Sequence, residues 1–126
     1  MNADELILGA WVLYAGRYFQ IDGIAEGGFS VHIKGEKWVS IGAVSPIPIS
    51  PEILEKNGFE KNHDAVENED TYMCSQFAFL LTPCERGWYI NTYDTALYLF
   101  YLISISSVHQ LQNAIRLSGS RKEIKL

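Results

Sequence analysis

The sequence predicts a mixed α+β fold. An N-terminal antiparallel β-meander covers residues 8–45, a short capped helix 50–58, a second antiparallel β region 71–105 and a C-terminal helix 107–118. Three observations lead to this reading. Residues 8–45 alternate apolar runs with glycine-containing breaks, the pattern of sequential strands. The stretch Ile49-Ser50-Pro51-Glu52-Ile53-Leu54-Glu55-Lys56-Asn57-Gly58-Phe59 carries its own helix start and stop. Ser107-Val108-His109-Gln110 has the spacing of a capping box ahead of an amphipathic stretch.

The meander divides into four strands, over residues 10–14, 18–24, 29–34 and 38–43. Its breaks are Ala15-Gly16-Arg17, Glu26-Gly27-Gly28 and Gly35-Glu36-Lys37, short enough for neighbouring strands to pair antiparallel. Asp22-Gly23 sits inside the second strand and marks a bulge, because a turn there strands Ile24 and Ala25. Four or five short, strongly bent strands resemble a small SH3-like barrel. In the third hairpin a three-residue loop at Gly35-Glu36-Lys37 sets Ile33 opposite Val39 and Val31 opposite Ile41 on the core side. Lys34, His32, Ser40 and Trp38 then share the outer face, and a two-residue loop turns Trp38 inward instead.

The helix that follows is punctuated at both ends. Ser50 caps the free amides, Pro51 suits the first helical position, and Glu52 favours the positive end of the dipole. Ile49 and Leu54 have the spacing of a hydrophobic staple, and Gly58 in a left-handed conformation lets Phe59 close a Schellman stop. Residues 60–70 are acidic and polar and read as a surface loop. They lack the central glycine of a calcium-binding loop, since no glycine occurs between Gly58 and Gly87.

Residues 71–81 read as one strand with Met73, Phe77, Phe79 and Leu81 on one face. Residues 82–87 turn the chain, 88–93 return it, and 96–105 form the most buried strand, apolar on both faces. A helix is the alternative for 96–105, opposed by the β-branched alternation of Ile103-Ser104-Ile105. In the last helix Val108, Leu111, Ala114, Ile115 and Ser118 fall on one stripe. Gln112, Asn113 and Arg116 lie away from it, and Gly119 supplies the stop. Residues 123–126 add a short edge strand or trail free.

The chain has 126 residues, 48% of them hydrophobic, a quantity that matches one domain. Its longest apolar run, 96–103, is less than half of the ~20 residues a membrane helix needs, and the start is acidic without a signal-peptide charge pattern. A cytoplasmic, soluble chain with no membrane partner is the expectation. A net charge of −5 disfavours a large phosphate-binding surface, and positive charge concentrates only at Arg121, Lys122 and Lys125. Cys74 and Cys84 are too few for a disulfide framework and lack the paired spacing of a zinc knuckle, so no metal and no cofactor are expected.

The C-terminal Val108-His109-Gln110-Leu111-Gln112-Asn113, its Leu-Ser-Gly end and its Lys-Glu-Ile-Lys-Leu tail resemble a family of small uncharacterised proteins from gut Bacteroidetes, found near phage or mobile-element genes. Glu5-Leu6 with Gly9-Ala10-Trp11-Val12 is similar to that family's E-L-x-x-G-x-W-V start. Pro46-Ile47-Pro48-Ile49-Ser50 with Leu54, Gly58 and Phe59 is similar to its P-I-P-L-T joint. The resemblance implies a fold and a genomic setting, and it carries no catalytic residue to this chain.

Catalytic chemistry finds no motif. A Cys-His nucleophile requires Cys74 or Cys84 to meet His32, His63 or His109, and no spacing dictates that meeting. His109 opens a capped helix, where a histidine serves as a structural hydrogen-bonder, and its segment lacks the glutamate and second histidine of a helical zinc site. No glycine-rich phosphate loop or serine-centred elbow occurs. The reading is a non-enzyme that binds a protein partner or itself, with Trp38, His32, Lys34, Tyr14 and Tyr18 as binding candidates and Trp88 and Tyr93 as further aromatic surface. The bland alternative is that Trp38 covers the barrel edge or packs on the second half. Other partner classes are nucleic acid, which the charge balance disfavours, and a basic host factor blocked by the acidic surface.

Overall fold

The structure, a computed structural model, describes residues 6–62, 71–74, 79–85, 87–93, 99–117 and 121–126. The expectations for Glu5, His63, the acidic residues from Asp64 to Asp70, Phe77, Ser118 and Gly119, and for the side chain of Tyr93, fall outside the described residues. The chain divides into two compact units over its described residues, one from Met1–Pro48 with Ser107–Asn113, the other from Ile49–Ser106 with Ala114–Leu126.

The first unit holds β1 (Trp11–Tyr14), β2 (Arg17–Ile24), β3 (Ser30–Ile33) and β4 (Trp38–Ser40), an antiparallel sheet in sequential order. Ala15 and Gly16, with φ of 50° and 77°, form the two-residue loop between the paired Tyr14 and Arg17, one residue shorter than the sequence implies. Two positive φ values match the twist of the flanking strands. The bulge falls where the Asp-Gly pair places it: Ile21 pairs with Ile33, and the next partner of β3 is Gly23, opposite His32.

The third hairpin has the expected facing but a different register. Val31 pairs with Val39 and His32 with Trp38, and the Ile33 amide donates to the Lys37 carbonyl, so Lys34-Gly35-Glu36 make the loop. The shift is two residues, an even number, so the pleat keeps Val31, Ile33 and Val39 buried and Trp38 outward. β4 ends at Ser40, not Ala43, because the Ser40 hydroxyl accepts the Gly42 amide and starts a single 3-10 turn, Ile41–Ala43. Beyond it Ser45 and Leu13 exchange two backbone hydrogen bonds of 2.8 and 2.9 Å. Leu6, Ala10, Val12, Ile21, Val31, Ile33, Val39 and Val44 form the core of this unit.

The helix α2 (Val108–Leu117) gives its opening turns to the same unit. The Ser107 amide donates to Gln110 Oε1 at 3.2 Å, the back half of the capping box, and the Val108 amide donates to the Ile47 carbonyl. Gln112, placed by periodicity on the polar face, is half-buried: its Oε1 accepts from the Trp11 amide and its Nε2 donates to the Gly9 carbonyl. The amide satisfies backbone groups that precede and open β1, a need that helical periodicity does not register.

The second unit contains α1 (Pro51–Lys56) and a five-stranded antiparallel sheet in sequential order. Its strands are β5 (Glu60–Asn62), β6 (Thr71–Met73), β7 (Phe79–Cys84), β8 (Gly87–Tyr93) and β9 (Leu99–Ile105). Ser50 Oγ accepts the Ile53 amide, and Gly58 at φ 85° closes the Schellman stop through Phe59 to Leu54 and Gly58 to Glu55 backbone bonds. Buried residues here include Leu54, Phe59, Leu81, Ile90, Ile115 and Ile124.

Four sequence expectations are corrected in this unit. Glu60–Asn62, read as loop, is an edge strand paired with β6, whose backbone pairs while Glu60 and Lys61 stay exposed. The single strand over 71–81 is two strands, β6 and β7, which pair with each other. The turn expected over 82–87 is shorter, since Cys84 already pairs with Gly87, with Pro83 inside β7, opposite Trp88 and beyond the residues paired with β6. β9 is a strand over 99–105, as read, at one end of the sheet order, and the expectation that it is the most buried strand falls outside the described residues. The C-terminal segment neither pairs as a strand nor trails free. The Asn57 carboxamide accepts from the Lys125 amide at 2.7 Å and donates to the Lys125 carbonyl at 2.8 Å, and Ile124 is buried.

Two substitutions test these backbone assignments in opposite directions. Ala15→Asn, with a residue that tolerates left-handed φ, raises the thermal midpoint by a few degrees, whereas Gly58→Ala lowers stability by about 1–2 kcal/mol, both read by thermal unfolding.

Candidate functional site

The outer face of the first sheet is set by the pleat. Side chains that alternate with buried Val12, Ile21, Val31 and Val39 point away from the core, which puts Tyr18, Asp22, His32 and Trp38 on one side. His32 and Trp38 are a directly opposed pair, and their rings meet edge to face at 5.2 Å and 67°. The bulge adds a second contact, since His32 Nδ1 donates to Asp22 Oδ1 across the β2–β3 pair.

Gly23 completes the arrangement from below. A Cβ at this position falls 3.1 Å from a Trp38 ring carbon and 3.1 Å from His32 Cβ. The indole therefore rests on bare backbone, and glycine is demanded by close approach. Held by Gly23 and His32, Trp38 still keeps 54% of its surface in solvent. An exposed indole, an imidazole oriented by a carboxylate and an open sheet edge can offer apolar contact and hydrogen bonding.

The remaining candidates separate. Lys34 is exposed in the tight loop next to His32, and its backbone amide donates to the Gln20 carbonyl. Tyr18, 51% exposed, shares the outer face from β2, opposite Leu13 of β1. Tyr14 lies on the inner side: its ring packs on Phe19 at 6.2 Å and joins the edge of the core. Trp88 is not an aromatic contact surface, a correction with a clear cause. It is buried, its Nε1 donates to the Ile49 carbonyl at 3.3 Å, and Tyr72 meets its ring edge to face at 5.6 Å.

Sequence reasoning missed Asp22 and Gly23 as site residues, although the Asp-Gly pair inside a strand was the available signal. It also missed Phe29, which is 77% exposed just before β3, its ring 3.3 Å from the point where a Cβ on Gly27 would stand. Cys74 and Cys84 are free thiols, Cys74 buried and Cys84 partly so. His109 is buried with its Nε2 3.4 Å from the Ser107 hydroxyl, the structural setting that its place on a capped turn implies. Among the described residues no three His, Cys, Asp or Glu side chains gather as a metal site, and no helix is long and apolar enough to cross a membrane.

The two tryptophans answer truncation differently. Trp38→Ala costs about 1 kcal/mol or less in thermal unfolding, because the ring is half in solvent, whereas Trp88→Ala costs about 3–5 kcal/mol. Comparison with known proteins leaves this geometry to stand by itself: no family model, no curated protein and no solved structure matches the chain.

Proposed function

We propose that the chain is a non-catalytic protein-interaction module that presents Trp38 to a protein partner or to a second copy of itself. The observation that carries the reading is an exposed indole already held in place by His32 and Gly23. A fixed side chain loses little conformational entropy on binding, and tryptophan is among the residues that dominate interface energies. Tyr18 extends the same face, and Lys34 supplies a charge at its rim.

The end of the sheet supports a mode of contact. Lys37 and Ile41, which flank β4, bond backbone to backbone with Ile33 and Phe29, which leaves the N–H and C=O groups of Trp38 and the N–H of Ser40 directed to the open edge, while the Ser40 carbonyl opens the 3-10 turn. An extended partner segment pairs with that edge and packs a side chain on the indole.

An SH3-like description of this unit belongs to the same proposal. Four sequential strands, a 3-10 turn and the return of Ser45 to Leu13 support it, since that return brings the chain after β4 back to the first strand. The phage or mobile-element setting, and with it a cytoplasmic partner, rests on the resemblance of the three sequence blocks.

Size-exclusion chromatography with light scattering and a pull-down against candidate partners test the reading. Trp38→Ala weakens the captured partner or the dimer by about 2 kcal/mol, roughly 30-fold, while the unfolding midpoint stays nearly constant. A strict monomer that captures no partner, or capture indifferent to Trp38→Ala, contradicts it.

A further inference from the structure

We propose that the groove between the end of α1 and residues 121–125, within the second unit, binds the phosphate backbone of nucleic acid. The groove encloses about 810 Å³ and is lined by Lys56, Gly58, Arg121, Lys122, Glu123 and Lys125. Four cations meet one carboxylate there, in a chain whose total charge is −5. Like charges gathered this closely repel one another, so their convergence calls for a compensating anion.

The helix end does not supply that compensation. The carbonyls of Ile53, Leu54 and Glu55 already accept bonds from the amides of Asn57, Phe59 and Gly58 and from the Asn57 side chain. Lys122 Nζ lies 3.2 Å from the point where a Cβ on Gly58 would stand, close to this negative end, and so answers the α1 dipole. Lys56, Arg121 and Lys125 remain. Among the described residues none of these three has a carboxylate within salt-bridge distance, Glu123 included.

The backbone that carries Lys125 is also held in advance. The two hydrogen bonds from Asn57 to the Lys125 backbone and the burial of Ile124 pin the C-terminal segment against α1. A segment fixed before binding loses less entropy when an anion arrives. An arginine with a planar fork among lysines suits tetrahedral oxyanions, and an open groove admits a chain of them more readily than a single enclosed ion. Exposed acidic residues more than ~10 Å from the groove act on it weakly, because such charges are screened at about 0.1 M salt.

The groove is independent of the Trp38 face, and the test keeps the two apart. Fluorescence anisotropy follows a labelled single-stranded oligothymidylate on the full chain. With three phosphates neutralised, affinity falls about 15- to 20-fold between about 50 and about 200 mM salt. Lys56→Gln with Arg121→Gln and Lys125→Gln removes binding and its salt dependence, while Trp38→Ala and the control Lys34→Gln with Lys37→Gln, which removes two positive charges elsewhere on the surface, leave both unchanged. Thermal unfolding verifies that the variants remain folded; if the triple variant does not, the salt slope of the unmodified chain and competition by unlabelled oligonucleotide decide. Absence of binding at low salt, equal loss in the Lys34 and Lys37 control, or displacement by polyglutamate or inorganic phosphate as effective as that by unlabelled oligonucleotide overturns the proposal.

Discussion

One extra residue in β2 decides what the first sheet shows to solvent. Continued without interruption, the register that pairs Ile21 with Ile33 sets Ile24 opposite Ser30, on the outer side. The bulge sets Ile24 opposite Val31 instead, and Ile24 packs against the core. The same insertion brings both Asp22 and Gly23 beside His32, one to orient the imidazole and the other to leave room for the indole across the sheet. Core packing and the exposed aromatic thus share one local irregularity.

The second unit relies on a different device, an amide standing in for a strand. Asn57 follows the last residue of α1, and its carboxamide reproduces with Lys125 the paired N–H and C=O contacts of a β ladder. A buried carboxamide satisfied on both atoms holds the C-terminal segment where a true strand partner is lacking. The Schellman stop sets Asn57 in that position, so a short, punctuated helix serves as the mount for a segment far away in sequence.

What was legible in the sequence was local. The Ser50 and Gly58 caps, the Ser107 to Gln110 box and the bulge are each written in a few adjacent residues whose backbone needs are distinctive. The outward facing of Trp38 survived a two-residue register error because the pleat repeats every two residues. What was not legible depends on distant partners. Glu60–Asn62 carries no apolar alternation and becomes a strand only because β6 pairs with it, while β6 and β7 lie in a stretch that reads as one strand until pairing divides it. Trp38 and Trp88 look alike as aromatic residues in strands, yet one is exposed on the outer face and the other is buried against Tyr72. Gln112 and Asn57 act through side-chain bonds to backbone more than sixty residues away, as the 101 residues to Trp11 and the 68 to Lys125 show, and periodicity does not report such bonds.

The central claim is that Trp38 is fixed outward over Gly23 and against His32, with its far side in water. Proton NMR reads this directly through nuclear Overhauser contacts of the indole ring. The account predicts cross-peaks from the Trp38 ring to the Gly23 α-protons and to the His32 ring. Cross-peaks from the indole to the methyl groups of Val31 and Val39, or no contact with Gly23, contradict it.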